Sequence, residues 1–232
     1  MCRHRGPGPS TGAVRIWGLV AALLVGAACS GEDPSTGPAE PTTTTAPDRA
    51  LPPETAAFLA RAAGATVVAF TAEYAVLYKL GGARTTVTVR SAPPASSVTA
   101  RDVVVVDGPS PASCDLATGT CVGTVEEQRL TAFGVTSRFW STGPVDAITG
   151  MSVRPDAAAP VLSTRTVAGL ALDCLAVPVQ QAITATHCIT PEGIFGLVDN
   201  PSVRYELVRY TSGPPDAPVE PPFPISPANP GP

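Results

Sequence analysis

The sequence predicts an α+β protein that is mainly antiparallel β. It would be a curved half-barrel sheet packed on a few helices, with a signal peptide and Pro-rich flanks. Three observations lead there. Apolar and polar residues alternate over long stretches, with the period of two that a half-buried strand requires. Gly, Pro and Asp/Asn clusters interrupt these stretches at short intervals, as an antiparallel meander needs. Proline is concentrated in the flanks: of 27, six lie in residues 30–53 and nine in 213–232, against ten in the much longer 54–212 and two in the leader. One domain, residues 54–212, therefore sits between two proline-rich arms.

The 232 residues are 44% apolar and 15% charged, with a net charge of −4. High apolar content and low net charge argue against a fully disordered chain. Lys79 is the only lysine and no basic cluster exists, which argues against a nucleic-acid partner.

The first elements are for export. Arg3, His4, Arg5 and Arg15 form a positive leader, and residues 16–28 are an apolar run of 13. That length fits a signal core of about 7–15 residues and falls short of the roughly 20 that span a bilayer. The run ends Val25-Gly26-Ala27-Ala28-Cys29, followed by Ser30-Gly31-Glu32-Asp33. Small residues before a cysteine with polar chain after it resemble a bacterial lipobox, with Gly26 where that pattern prefers Leu or Val. Residues 1–28 then form a lipoprotein signal peptide, and Cys29 becomes the diacylglyceryl-modified N-terminus. A plain secretory signal cut near Ala28 is the alternative. Cleavage removes three arginines and no acid, taking the net charge from −4 to −7. Acyl chains, at about 0.8 kcal/mol per buried methylene, would hold the membrane without help from basic residues. Residues 29–53 read as a tether. Its Thr42 to Thr45 run between prolines suits an extended stalk and O-glycosylation.

Pro52-Pro53-Glu54 opens a helix with proline and acid at the favourable end. Ala56, Leu59 and Ala63 share one face and Gly64 can end it; it reads as a docking element, not a core helix. Residues 68–80 then alternate, with Phe70, Ala72, Tyr74, Val76, Tyr78 and Leu80 on one side. Gly81-Gly82 makes a hairpin turn to a second strand through Thr85, Val87 and Val89. Residues 103–106 make a third, and a Cys-turn-Cys hairpin follows. Leu130, Phe133, Ser137 and Trp140 fall near helical spacing, and a second short helix starts at Pro144 with Val145, Ile148 and Met151. Strands resume over 161–167, 170–179, 183–189, 193–198 and 203–211, for about eight in all.

Six cysteines are present. Cys2 leaves with the signal and Cys29 takes lipid. Cys114, Cys121, Cys174 and Cys188 remain, an even number suited to an oxidising compartment. Three pairings are open. Short hairpins favour Cys114–Cys121 and Cys174–Cys188, at about 2.5–3 kcal/mol each in the loop-entropy model.

This order of elements is a lipobox and Thr/Pro tether, a short helix, a long hairpin from Phe70-Thr71-Ala72-Glu73-Tyr74 to Val87-Thr88-Val89, and a Cys hairpin. Helices and a returning meander follow, ending Arg204-Tyr205-Glu206-Leu207-Val208-Arg209-Tyr210 and Glu220-Pro221-Pro222-Phe223-Pro224. It resembles the actinobacterial envelope lipoproteins related to LppX and LprG, within the wider LolA/LolB-like superfamily. The resemblance implies a half-barrel wrapped on helices, with lipid acyl chains held between sheet and helices and no catalytic residue. Phe70, Tyr74, Val76 and Tyr78, with Phe133 and Trp140, would line such a cavity. The alternative is that the same side chains form an ordinary closed core.

Enzymatic chemistry finds no motif. His187 is the only histidine after the signal, and it lacks the nucleophile and orienting acid that a catalytic base needs; it reads as a surface residue. Asp102 and Asp107 read as solvated strand ends. No Cys/His pair has zinc spacing, so neither metal nor cofactor is expected. The tail motif Pro221-Pro222-Phe223-Pro224 either meets an aromatic groove on a partner or lies along the sheet. The expected partners are the membrane, through the anchor, and lipid or glycolipid. The chain is expected to be a monomer on the outer face of the plasma membrane. A closed sensor or protein-interaction lipoprotein is the competing function.

Overall fold

The computed structural model describes residues 50–154, 158–180 and 183–226. The signal peptide, Cys29 and the Thr/Pro stretch to residue 49 lie outside the described residues. No helix among the described residues is long and apolar enough to cross a membrane.

The first helix, α1 (Pro53–Ala63), places a proline where an N–H would have no partner, and Glu54 in its first turn. It is a core helix, not the peripheral docking element expected above. Phe58, Leu59 and Ala62 are buried, and Phe58 meets Phe195 edge-on at 6.3 Å. Positions 55, 58, 59 and 62 form the buried stripe, rotated by one residue from the alanine face expected.

Strands β1 (Phe70–Tyr78), β2 (Ala83–Ala92), β3 (Ala95–Ala100), β4 (Val103–Asp107), β5 (Ala112–Asp115) and β6 (Thr120–Val122) follow as a meander. Two helices, α2 (Glu127–Thr131) and α3 (Thr142–Ser152), connect it to a second meander. That comprises β7 (Val161–Val167), β8 (Leu170–Gln180), β9 (Ile183–Ile189), β10 (Phe195–Asp199) and β11 (Val203–Ser212). β12 (Ile225–Ser226) closes the chain's described part. The two meanders join where β1 pairs with β11, giving one sheet in the order β12-β6-β5-β4-β3-β2-β1-β11-β10-β9-β8-β7. All pairs are antiparallel except β12–β6. The fold is thus a large open antiparallel sheet, curled around three helices.

The alternation read in β1 holds from Phe70 to Val76, where Phe70, Ala72, Tyr74 and Val76 are buried; the strand ends at Tyr78, and Leu80, expected on the same side, is exposed in the turn to β2. β3 was not expected. Ala95-Ser96-Ser97-Val98-Thr99-Ala100 has one large apolar residue and follows Pro93-Pro94, so nothing local marks it; pairing to β2 and β4 on both sides makes it a strand. The single helix expected through Phe133 and Trp140 is also absent. α2 stops at Thr131, and Gly134 takes a φ of +79°, outside the helical region. The chain from there to α3 is pinned instead by Glu127. Its carboxylate accepts from the Ser137 amide at 2.9 Å and from the Ser137 hydroxyl.

Both expected disulfides are formed, each between directly opposed residues: Cys114–Cys121 across β5–β6 and Cys174–Cys188 across β8–β9. The tail lies along the sheet. Val219 and Phe223 pack on a second small core of Val104, Val106, Ala112 and the Cys114–Cys121 bridge. Ile225 and Ser226 then pair with Cys121 and Val122.

Candidate functional site

The space between sheet and helices is where an acyl chain would lie. Aromatic rings of β1, β11 and the loop between α2 and α3 pack against one another in this interior. Phe70 meets Trp140 at 5.1 Å; Tyr74 meets Phe139 at 5.0 Å, and Phe139 meets Tyr205 at 4.9 Å, all edge-on. Such pairs add about 0.5–1.5 kcal/mol beyond their buried area. The Tyr205 hydroxyl donates to the Phe139 carbonyl at 2.7 Å, tying β11 to the loop before α3. Burial pushes the phenols of Tyr74 and Tyr205 well above the ordinary tyrosine range.

Of the six residues proposed to line a cavity, Phe70, Tyr74, Val76 and Trp140 are buried in this core. Tyr78 is half-buried, and Phe133 packs against the cluster's margin. The six do not surround one space. Val76 borders a groove of about 730 Å3 with Arg84, Arg204 and Glu206. Trp140 borders a separate hollow of about 250 Å3 beside Asp107 and Arg138. Phe139 and Tyr205 belong to the aromatic centre and were missed. Tyr205 sits between two charged neighbours, but Val203, Tyr205 and Leu207 recur at period two, and that was the available signal. Tyr205→Phe should cost about 1–2 kcal/mol, because it strands a buried carbonyl. Urea unfolding would show it as a lower midpoint, with an unchanged slope.

His187 is not a surface residue. It is 2% exposed, lies opposite Leu175 on β8 and Val198 on β10, and its Nδ1 has no hydrogen-bond partner. Burial lowers its pKa from 6.5 to about 4, so the ring is neutral at pH 7. The expectation failed because two covering faces meet at β9, which periodicity does not reveal. Asp107 is a strand end that is tied down: it accepts from Nε and Nη2 of Arg138 at 3.1 and 3.0 Å. Among the described residues, no three His, Cys, Asp or Glu side chains are grouped to hold a metal ion.

The outer surface holds a further groove, of about 540 Å3, between α1 and β7. Ala57 and Phe58 of α1 face Leu162 and Thr164 of β7 across it. Arg61 of α1 bonds Asp173 of β8 at 2.6 Å and closes one part of its wall.

Fold and interior together define a curled antiparallel sheet closed on its helices by aromatic packing. Solved structures with similarity to it include MucB, at 18% identity and a TM-score of 0.47, over 71% of this chain and 60% of that one. The MucA/MucB complex of Pseudomonas aeruginosa matches at 14% identity and a TM-score of 0.40, over 71% and 59% of the two chains. LprF from Mycobacterium bovis matches at 11% identity and a TM-score of 0.35, over 75% of this chain and 99% of its own. The chain thus spans about 60% of the length of MucB. No protein-family model matches the chain, and no curated protein does. The family suggested by the order of elements therefore stays a resemblance.

Proposed function

We propose that this is an exported, lipid-anchored envelope protein whose domain is a closed, non-enzymatic interaction module. The observation that carries the reading is the aromatic interior. Phe70, Trp140, Tyr74, Phe139 and Tyr205 occupy the space that a carrier would leave for acyl chains. Export is supported by the leader before Cys29 and by two disulfides, which persist in oxidising compartments. The non-enzymatic reading is supported by the burial of His187, the sole histidine after the signal, which lines none of the grooves described above. Function then falls to the surface, to the grooves and the free edge of the sheet.

Native mass spectrometry of the exported chain carrying Cys29→Ser tests this. The expected result is the polypeptide mass with two disulfides and no lipid, before and after incubation with phospholipid. Lipid retained near one per chain would overturn the closed-interior reading in favour of acyl carriage.

A further inference from the structure

Strand β7 ends the sheet. β8 pairs with one side of it, and among the described residues no strand is hydrogen-bonded to the other, although β11 comes near β7 without pairing. Its residues from Val161 to Thr166 are exposed, Val161 at 62% and Leu162 at 44%. Edges are normally blunted by short length, charged side chains, proline or a bulge. β7 has seven residues, pairs with β8 in unbroken register, and contains no proline; Arg165 is its one charge.

The direction of its backbone groups follows from the turn. Ala168 and Gly169 both have positive φ, 50° and 78°, and join Val167 to Leu170 in a two-residue hairpin. In such a hairpin Val167 and Leu170 exchange hydrogen bonds, and bonded pairs then alternate. Ser163 and Arg165 therefore point their backbone groups at β8. Leu162, Thr164 and Thr166 point theirs outward, unpaired.

The side chains add a second feature. Thr164 lies opposite Asp173, which is bonded to Arg61 of α1, so Leu162 and Thr164 share the face that looks to α1. The 540 Å3 groove lies on that side, between the edge strand and the helix. A strand added to β7 would slide alternate side chains beneath α1, against Ala57, Phe58 and Leu162. Its other side chains would stand on the opposite face, beside Arg165, which has no ion pair among the described residues.

Resting on the interaction-module reading, we propose that the β7 edge binds an extended segment of a partner protein by strand addition. The segment would carry apolar side chains under α1 and a carboxylate beside Arg165. Charge selects such a partner over a second copy of this chain. Two β7 strands paired antiparallel about Thr164 would place both Arg165 side chains on one face, two rungs apart, with no acid between them.

The test is fluorescence anisotropy with a labelled seven-residue peptide of alternating Val and Glu, and its Val/Lys counterpart, against the full exported chain. The Glu peptide should saturate, and bind about fivefold or more tightly than the Lys peptide. Arg165→Glu should reverse that preference. Thr164→Pro removes an outward N–H without breaking a bond to β8, and should abolish binding of both peptides. Ala57→Trp, which fills the groove from α1, should do the same and covers the case in which the proline variant misfolds. Three results would overturn the proposal. One is no saturation with the Glu peptide up to about 1 mM. Another is binding that survives both Thr164→Pro and Ala57→Trp. The third is dimerisation of the chain that Thr164→Pro abolishes, which assigns the edge to a second copy. Lipid in the native mass with normal peptide binding would remove only the closed-interior reading. A clean mass without peptide binding would remove only strand addition.

Discussion

Gly193→Ala should lower the free energy of unfolding by roughly 2–5 kcal/mol, combining left-handed backbone strain with overpacking. Gly193 lies in the turn between β9 and β10, with a φ of +90° and its N–H donated to the Thr190 carbonyl at 2.9 Å. A Cβ there would stand 2.1 Å from the carbonyl oxygen of Arg61 and 3.3 Å from the Cα of Ala62. Both are backbone atoms of the last turn of α1, so no side-chain rotation relieves the contact. The helix must lift, and Phe58, Leu59 and Ala62 would lift with it. Gly150→Ala is the matched control. That position is inside α3 with nothing within 4 Å of the added methyl, and alanine there should stabilise by about 0.5–1 kcal/mol. Urea midpoints of the two variants should move in opposite directions. A wild-type midpoint for Gly193→Ala would mean that α1 does not rest on this turn.

The same contact explains what was and was not legible in the sequence. Alternation identifies which face of a strand is apolar, and in β1 it assigned Phe70, Ala72, Tyr74 and Val76 correctly. It cannot say whether that face meets a ligand or Phe139 and Tyr205, since both need the same residues. Local chemistry also placed the two hairpin disulfides, because a short loop limits where a cysteine can reach. What failed was set by distant chain. The role of α1 depends on a turn some 130 residues away, β3 on its two neighbours, and the burial of His187 on the strands flanking it. The α1–β7 groove is of this kind. Val161-Leu162-Ser163-Thr164-Arg165-Thr166-Val167 shows no clean period, and only its place at the end of the sheet, beside α1, makes it a candidate site.

His187 gives the second large effect, a loss of stability on mild acidification. Its folded pKa is about 4, held down by burial, against 6.5 in the unfolded chain. At pH 7 the folded ring is neutral and the unfolded one mostly so, and nearly the full stability is present. As pH falls below 6.5 the unfolded chain takes up a proton that the folded protein refuses until about pH 4. Stability therefore drops across that window, by about 2 kcal/mol at pH 5 and about 3 kcal/mol at its lower end. The directly opposed residues, Leu175 and Val198, are apolar, and the Phe195 ring lies 6.3 Å away, so none of these offers an anion to offset the cost. His187→Leu deletes the titrating ring from an apolar setting and should match wild type closely at pH 7. Its urea midpoint should then fall much less than wild type's between pH 7 and pH 5, because the remaining carboxylates are common to both proteins. Parallel pH profiles for the two would show that the imidazole is hydrated in the folded state, with water reaching β9 between β8 and β10.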